Sequence, residues 1–70
     1  MKLWFENSKW ERILVNGNSS EETAIKEITD YVKKNNPNFK IYYFNVAKLS
    51  ETERRYDFGS HTEFFYLTKE

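Results

Sequence analysis

The sequence predicts a single α+β domain over residues 1–70, a small and mostly antiparallel sheet in ββαβββ order with one helix packed on one face. Aromatic residues make up 19% of the chain. The apolar surface that they can bury distinguishes the chain from disordered segments. One stretch has the apolar spacing of a helix. The stretches around it are aromatic or β-branched and are bounded by turn residues, as strands are.

The N-terminal part of the chain predicts a β-hairpin. Residues 2–6 and 10–15 are partly aromatic or β-branched, which favours strands. The polar pair Asn7-Ser8 lies between them and is of the kind that closes a tight turn. We therefore expect these two strands to pair with each other.

A helix is predicted to begin near residue 20 and to end before Pro37. Ser19 and Glu22 have the spacing of a capping box, and Pro37 disfavours helical geometry in the residue before it. Between these ends the apolar residues recur at helical spacing on one stripe, which consists of Ala24, Ile25, Ile28, Tyr31 and Val32. The stripe predicts that one side of the helix is buried and the other solvated.

A third strand is predicted over residues 39–46, where aromatic and β-branched side chains are dense and no breaker occurs. Ser50 and Glu53 then repeat the capping-box spacing. No apolar period follows them, so the segment 50–56 is expected to form one helical turn at most.

The last part of the chain predicts a second hairpin, closed by a two-residue turn at Gly59-Ser60. Glycine at the first central position of such a turn suits the type II′ geometry. In this register Phe58 lies opposite His61. Tyr56 then lies opposite Glu63, and Arg54 opposite Phe65.

The predicted strands are apolar on both faces. In the last strand Phe65 and Leu67 lie on one side, and Phe64 and Tyr66 on the other. A single helix covers one face, so an aromatic surface remains. Three interpretations are open: the surface is a protein interface, it is covered by the sheet itself as the sheet curls, or it is a platform on which bases stack. The expected partner-binding anchors on this surface are Trp4, Tyr43, Phe64 and Tyr66.

No motif in the sequence predicts catalysis, a cofactor or a metal ion. Asp57, Ser60 and His61 are the residue types of a hydrolase triad, but they lie around one predicted turn, whereas a triad brings its members together from separate elements. One His and no Cys offer no zinc-ligand spacing. We therefore expect a protein that is not an enzyme and has no cofactor or metal.

The charges argue against nucleic acid as a partner. Eleven Lys and Arg balance eleven Asp and Glu, whereas nucleic-acid-binding domains are usually basic. The one arginine pair, Arg54-Arg55, is expected at a solvated strand edge, paired with Glu51 or Glu63.

The lengths of the apolar runs argue against a membrane as a partner. No apolar run has the length of a membrane span or a signal peptide. Together with the absence of Cys, this predicts a cytoplasmic protein.

The two ends of the chain, residues 1–6 (MKLWFE) and 56–67 (YDFGSHTEFFYL), resemble short uncharacterised proteins from phages and prophages of low-GC Gram-positive bacteria. The resemblance implies a small accessory protein made in the bacterial cytoplasm, and it transfers no site residue. We therefore expect a non-catalytic interaction module that self-associates, for example as a homodimer, or docks on a protein partner. The alternative is a nucleic-acid-binding regulator or anti-defence factor.

Overall fold

The computed structural model describes residues 1–69; Glu70, the last residue of the domain expected over 1–70, lies outside the described residues. Five strands and one helix follow one another in the predicted ββαβββ order. They are β1 (Lys2–Glu6), β2 (Arg12–Asn16), α1 (Glu21–Asn35), β3 (Asn45–Ser50), β4 (Glu53–Asp57) and β5 (Phe64–Thr68).

The strands form one antiparallel sheet in the order β2-β1-β5-β4-β3. The first and last strands of the chain, β1 and β5, therefore pair at its centre, with Trp4 opposite Tyr66 and Phe5 opposite Phe65. The strands β2 and β3 are the two edges. The α+β class and the ββαβββ order along the chain agree with the prediction.

One face of the sheet packs against α1. The helix buries Ala24, Ile28 and Val32 against this face, which contributes Leu3, Phe65 and Leu67. Phe65 has no exposed surface, and its ring centroid lies 5.1 Å from that of Phe5, 5.4 Å from that of Phe58 and 5.7 Å from that of Tyr31. The predicted helical stripe is wrong for Ile25, which is 44% exposed at its border.

The helix begins where the sequence predicts it, but a different serine caps it. Ser20 is the N-cap, and its hydroxyl accepts a hydrogen bond from the Thr23 N–H at 3.3 Å. Ser19 instead donates its hydroxyl to Glu27 at 3.0 Å. At the other end the Asn36 N–H donates to the Val32 carbonyl at 2.7 Å, one residue before Pro37.

The first hairpin has a longer turn than predicted. Residues 7–11 lie between β1 and β2, so residues 10 and 11 belong to the turn and not to the strand. The Asn7 side chain accepts hydrogen bonds from the Lys9 and Glu11 N–H groups at 2.9 and 3.0 Å. Asn7 therefore organises the turn, as the sequence indicates, but over five residues.

The predicted strand over residues 39–46 is wrong in position, since β3 begins only at Asn45. The apolar residues before it serve the core from outside the sheet, because Phe39, Ile41 and Phe44 pack against the buried cluster. Their strand propensity is overridden by this packing. The segment 36–44 thus leads from the end of the helix to the edge of the sheet.

The helical turn considered for residues 50–56 is a strand hairpin. The strands β3 and β4 are joined at Glu51 and Thr52, and Ser50 accepts a hydrogen bond from the Thr52 N–H at 3.2 Å. A serine that accepts a nearby backbone N–H can either cap a helix or build a turn. Here no apolar helical face follows, and the turn forms.

The second predicted hairpin exists, with a different loop and register. Its strands are β4 and β5, and the connection runs over residues 58–63 instead of Gly59-Ser60 alone. Tyr56 lies opposite Phe65 and not Glu63, while Arg54 lies opposite Leu67 and not Phe65. The register differs by two residues, which leaves every side chain on its predicted face because the strand period is two.

Candidate functional site

The second face of the sheet, here called the helix-free face, lies on the side opposite α1. Cross-strand partners share a face of a sheet, so the register assigns its members. Trp4 is opposite Leu14 and Tyr66, and Tyr66 is opposite Arg55. With the neighbouring rows the helix-free face consists of Lys2, Trp4, Glu6, Arg12, Leu14, Asn45, Ala47, Ser50, Glu53, Arg55, Asp57, Phe64, Tyr66 and Thr68.

Three of the four predicted anchors lie together on the helix-free face. Trp4 and Phe64 are partly exposed there, and Tyr66, between them, is 8% exposed. The fourth, Tyr43, is not in a strand, and its assignment to the sheet face is wrong. It lies in the segment 36–44 and is 52% exposed, with its ring 3.7 Å from the place that a Cβ at Gly59 would occupy.

Arg12 covers the centre of the helix-free face. Its guanidinium carbon lies 3.9 Å from the centroid of the Tyr66 ring. Its Nε donates to Glu6 and its Nη1 to Glu53, both at 3.2 Å. Partial burial works against the positive charge, but these hydrogen bonds and the two carboxylate charges outweigh it and raise the pKa of Arg12 above its ordinary value.

A second arginine covers the neighbouring aromatic ring. The guanidinium carbon of Arg55 lies 5.2 Å from the centroid of Phe64, within the range of a cation–π contact. Within the described residues its Nε is buried and has no hydrogen-bond partner. Arginine side chains therefore lie over two of the rings of the aromatic surface expected from the sequence, Tyr66 and Phe64.

The aromatic polar groups of the helix-free face are bound within that face. The indole Nε1 of Trp4 donates to Thr68 Oγ1 at 3.1 Å. The Tyr66 hydroxyl donates to Glu6 Oε2 at 3.4 Å. Glu6 thus accepts hydrogen bonds from both Arg12 and Tyr66, and these bonds connect side chains of three strands.

Trp10 is an exposed aromatic residue that was predicted in the second strand and lies outside it. It lies in the turn before β2, is 83% exposed, and has φ of 65°. Positive φ is unusual for a bulky residue. The Trp10 N–H donates to the Asn7 carbonyl at 3.0 Å, so the turn holds this backbone conformation and presents the indole to solvent.

The predicted environment of the arginine pair is wrong, because β4 is an interior strand and not an edge. Arg54 lies on the helix side and donates its Nε to Glu21 at 2.6 Å. Its neighbour Arg55 points to the opposite face. The pair therefore serves both faces of the sheet, and the expected partners Glu51 and Glu63 are not used.

On the helix side a carboxylate joins β2 to α1. Glu27 accepts hydrogen bonds from Asn16 Nδ2 at 2.7 Å and from Ser19 Oγ at 3.0 Å. Burial by itself raises the pKa of Glu27, but the hydrogen bonds from Thr23, Asn16 and Ser19 outweigh burial, and the net effect lowers it.

The residue types of a hydrolase triad build a loop. The Asp57 side chain accepts a hydrogen bond from the Gly59 N–H at 2.9 Å. Ser60 accepts from the N–H groups of Thr62 and Glu63 at 3.4 and 3.2 Å. His61 is exposed. These contacts give Asp57 and Ser60 a structural role in the β4–β5 connection.

The remaining features of the surface are small. A cavity of about 260 Å³ beside the end of α1 has a floor of Phe5, Tyr31 and Phe58, with Glu63 at its rim. Among residues 1–69 no group of three or more His, Cys, Asp or Glu side chains is arranged to hold a metal ion. In the described part of the chain, α1 lacks the length and hydropathy of a membrane-spanning helix.

Comparison with known proteins yields no relative: no family model, no curated protein and no solved structure matches the chain.

Proposed function

We propose that this chain is a non-catalytic protein-interaction module that binds a protein partner through its helix-free face. The observation that carries this proposal is Arg12, whose guanidinium two carboxylates hold over the ring of Tyr66, beside Trp4. Tryptophan, tyrosine and arginine are the residues that most often dominate the energetics of protein interfaces. The helix-free face concentrates all three on strands of the sheet.

The second argument is preorganisation. The Trp4 indole, the Tyr66 hydroxyl and the Arg12 guanidinium are each hydrogen-bonded within the face before any partner arrives. Ordering a mobile side chain at an interface costs about 0.5–1.5 kcal/mol. Side chains that are already ordered avoid this cost, which favours their use as a recognition surface.

The charges of the helix-free face indicate the kind of partner. It carries charges of both signs, and the whole chain has zero formal net charge; they are Lys2, Arg12, Arg55, Glu6, Glu53 and Asp57. The coverage of Tyr66 by Arg12 leaves little ring surface on which a base could stack. These features favour a protein with mixed charge over a polyanion. Arg55 is partly exposed beside Phe64, and its guanidinium favours a carboxylate or carbonyl group of that protein as an acceptor.

The biological setting is part of the same proposal. The resemblance of residues 1–6 and 56–67 to phage and prophage proteins supports a small accessory protein that acts in the bacterial cytoplasm on a host or phage protein. The helix-free face is assigned from the strand register and not from that resemblance, so the proposed surface and the proposed setting can be contradicted separately.

The test is capture of a partner by the immobilised chain, followed by a titration of the isolated partner. Arg55→Gln and Trp4→Ser are expected to weaken binding. Lys40→Gln is the charge-matched control, because Lys40 is exposed and lies beside the helix, and it is expected to bind as the wild type does. Circular dichroism of each variant verifies the fold.

Equal binding by all variants would contradict the proposal, as would loss of binding in Lys40→Gln alone. The same proteins are titrated with single-stranded and duplex oligonucleotides at low salt. Binding that weakens steeply as salt is added would replace the protein partner by a nucleic acid.

A further inference from the structure

The edge strand β2 is open and apolar. It pairs with β1 on one side and is the last strand of the sheet on the other. Ile13 on the helix side is 46% exposed, and Leu14 on the helix-free face is 48% exposed. An edge strand with unpaired backbone groups and exposed apolar residues is a template for the addition of another strand.

We propose that a second copy of this chain pairs antiparallel with β2, with the two-fold axis at Leu14. The two sheets then join into one sheet of ten strands, a number that follows from the five strands of each copy. In this register Leu14 meets its own equivalent. Ile13 meets Val15 of the second copy, and the pairing ends before Asn16, which a bulge in the β1–β2 register places opposite Leu3 on the helix side. Every apolar residue of the strand thus faces another, and no like charges are opposed.

The faces of the sheet agree with this register. Residues that lie opposite each other in an antiparallel pair must point to the same side. Val15 packs against the core and lines a cleft with Glu27 and Tyr31 of α1, so it lies on the helix side. Ile13 is opposite Phe5 of the core face and lies on that side as well. The pair from Ile13 to Val15 is therefore allowed, and both helices lie on one side of the joined sheet.

The other edge is less suited to pairing. The strand β3 also has exposed apolar residues, Val46 and Leu49 at 49% and 45%. Lys48 lies between them with 54% of its side chain exposed, and its partner Glu51, at 3.3 Å, is in the exposed turn. A lysine on an edge strand opposes edge-to-edge pairing. The one charged residue of β2, Arg12, is drawn back over Tyr66 by Glu6 and Glu53 and leaves its edge clear.

Trp10 supplies an independent observation at the same edge. It precedes the first residue of β2 by two positions, at one end of the exposed edge. The turn of residues 7–11 holds Trp10 at positive φ with its indole 83% exposed. Strained backbone that presents an aromatic side chain is typical of functional surfaces. The two paired β2 strands are here called the seam, and this indole lies at its end.

A cysteine cross-link tests the register directly. The chain has no cysteine, so a single substitution introduces the only thiol. Opposed Cα atoms of an antiparallel pair are about 4.5–5.5 Å apart, which a disulfide spans. Leu14→Cys is expected to form a disulfide dimer on mild oxidation, and Val46→Cys, equally exposed on the other edge, to stay monomeric. Absence of the Leu14→Cys dimer, or equal cross-linking of both variants, would overturn the proposal.

Sedimentation equilibrium tests the seam without a thiol. The wild type is expected to dimerise with concentration, Ile13→Lys to remain monomeric, and Val46→Lys to dimerise as the wild type does. A wild type that stays monomeric at the highest soluble concentration would overturn the seam. So would a dimer that Val46→Lys dissociates and Ile13→Lys does not. Circular dichroism verifies that both lysine variants are folded.

The seam is formed by the edge strand β2, whereas the proposed function depends on the helix-free face. Experiments can therefore contradict the dimer and the proposed function separately. Arg55→Gln is expected to lose the protein partner and keep the dimer. Ile13→Lys is expected to lose the dimer and keep a folded helix-free face. A chain that captures no partner but cross-links through Leu14→Cys retains the seam and contradicts only the proposed function.

Discussion

The guanidinium of Arg12 lies 3.9 Å above the ring of Tyr66 and donates to carboxylates on both sides of it. Arg12 belongs to β2, Tyr66 to β5, and β1 lies between them. One side chain therefore reaches across a strand and ties together β2, β1 and, through Glu53, β4. This relationship links the stability of the sheet to the surface proposed for recognition.

Replacement of Arg12 by methionine is expected to destabilise the fold by about 1 kcal/mol. A cation–π contact at a partly exposed site contributes about 0.5–1 kcal/mol. The ion pairs add little, because the Arg12 side chain is 39% exposed and solvent screens them. Urea unfolding measures the loss. Lys26→Met is the control, since its ion pair with Asp30 is fully on the surface, and its change is expected to stay below about 0.5 kcal/mol. Equal losses in the two variants would contradict the role given to the Tyr66 ring.

The sequence predicts the helix and the faces of β1, β2 and β5 because both depend on neighbours along the chain. The start of α1 follows from serines followed by glutamates, and its end from Pro37. The two faces of β5 follow from the alternation of side chains and survive even a change of register by two residues. These features need no knowledge of strand order.

The sequence does not predict the arginine cover, because that depends on which strands meet. Arg12 reaches Tyr66 only in the observed sheet order, in which β1 and β5 are neighbours. The predicted position of β3 is wrong for a similar reason. Phe39 and Ile41 have strand propensity, but they pack against the core from outside the sheet. The turn at Ser50 has the same local chemistry as a helix cap, and only the surrounding fold distinguishes the two.

Phe65 is expected to be indispensable to the fold. It is completely buried, and its ring contacts those of Phe5, Tyr31 and Phe58. Truncation of a buried phenylalanine to alanine costs about 3–5 kcal/mol, which equals the stability of about 3–5 kcal/mol that a core of this size supplies. Phe65→Ala is therefore expected to be unfolded by circular dichroism at 25 °C.

Two further variants keep this prediction testable. Phe65→Leu retains an apolar side chain and is expected to fold with a loss of about 1–2 kcal/mol in urea unfolding. Tyr42→Ala removes an aromatic ring that is 84% exposed and is expected to change stability by less than about 0.5 kcal/mol. A folded Phe65→Ala of wild-type stability would mean that the aromatic cluster is not the centre of the core.

Gly59 and Gly17 are expected to respond differently to alanine. Gly59 has φ of 100°, a conformation that a side chain disfavours by about 1–2 kcal/mol. A Cβ there would meet the Tyr43 ring at an ordinary 3.7 Å, so the backbone and not a clash sets the cost. Gly59→Ala is expected to lower the free energy of unfolding by that amount. Gly17 lies outside the positive-φ region, and Gly17→Ala is expected to stay within about 1 kcal/mol of the wild type. The reverse order of the two in urea unfolding would contradict the loop geometry.

The hydrogen bonds that lower the pKa of Glu27 make the fold sensitive to acid. Because the folded state holds this carboxylate ionised at a lower pH than the unfolded chain does, the folded state binds fewer protons, and stability rises with pH through this range. The contribution is complete above the ordinary glutamate pKa of about 4.3. It is lost as pH falls through the lowered pKa of the folded state.

Replacement of Glu27 by glutamine is therefore expected to flatten the acid limb of the stability profile. Urea unfolding measured from neutral pH to below about pH 4 is expected to show a smaller loss of stability in Glu27→Gln than in the wild type. Ser19→Ala removes one of the donors to this carboxylate and is expected to fall between the two. Ser8→Ala, at an exposed position of the first turn, serves as the matched control and is expected to follow the wild type. If Glu27→Gln kept the full acid loss, the link from β2 to α1 through this carboxylate would not be the source of the pH dependence.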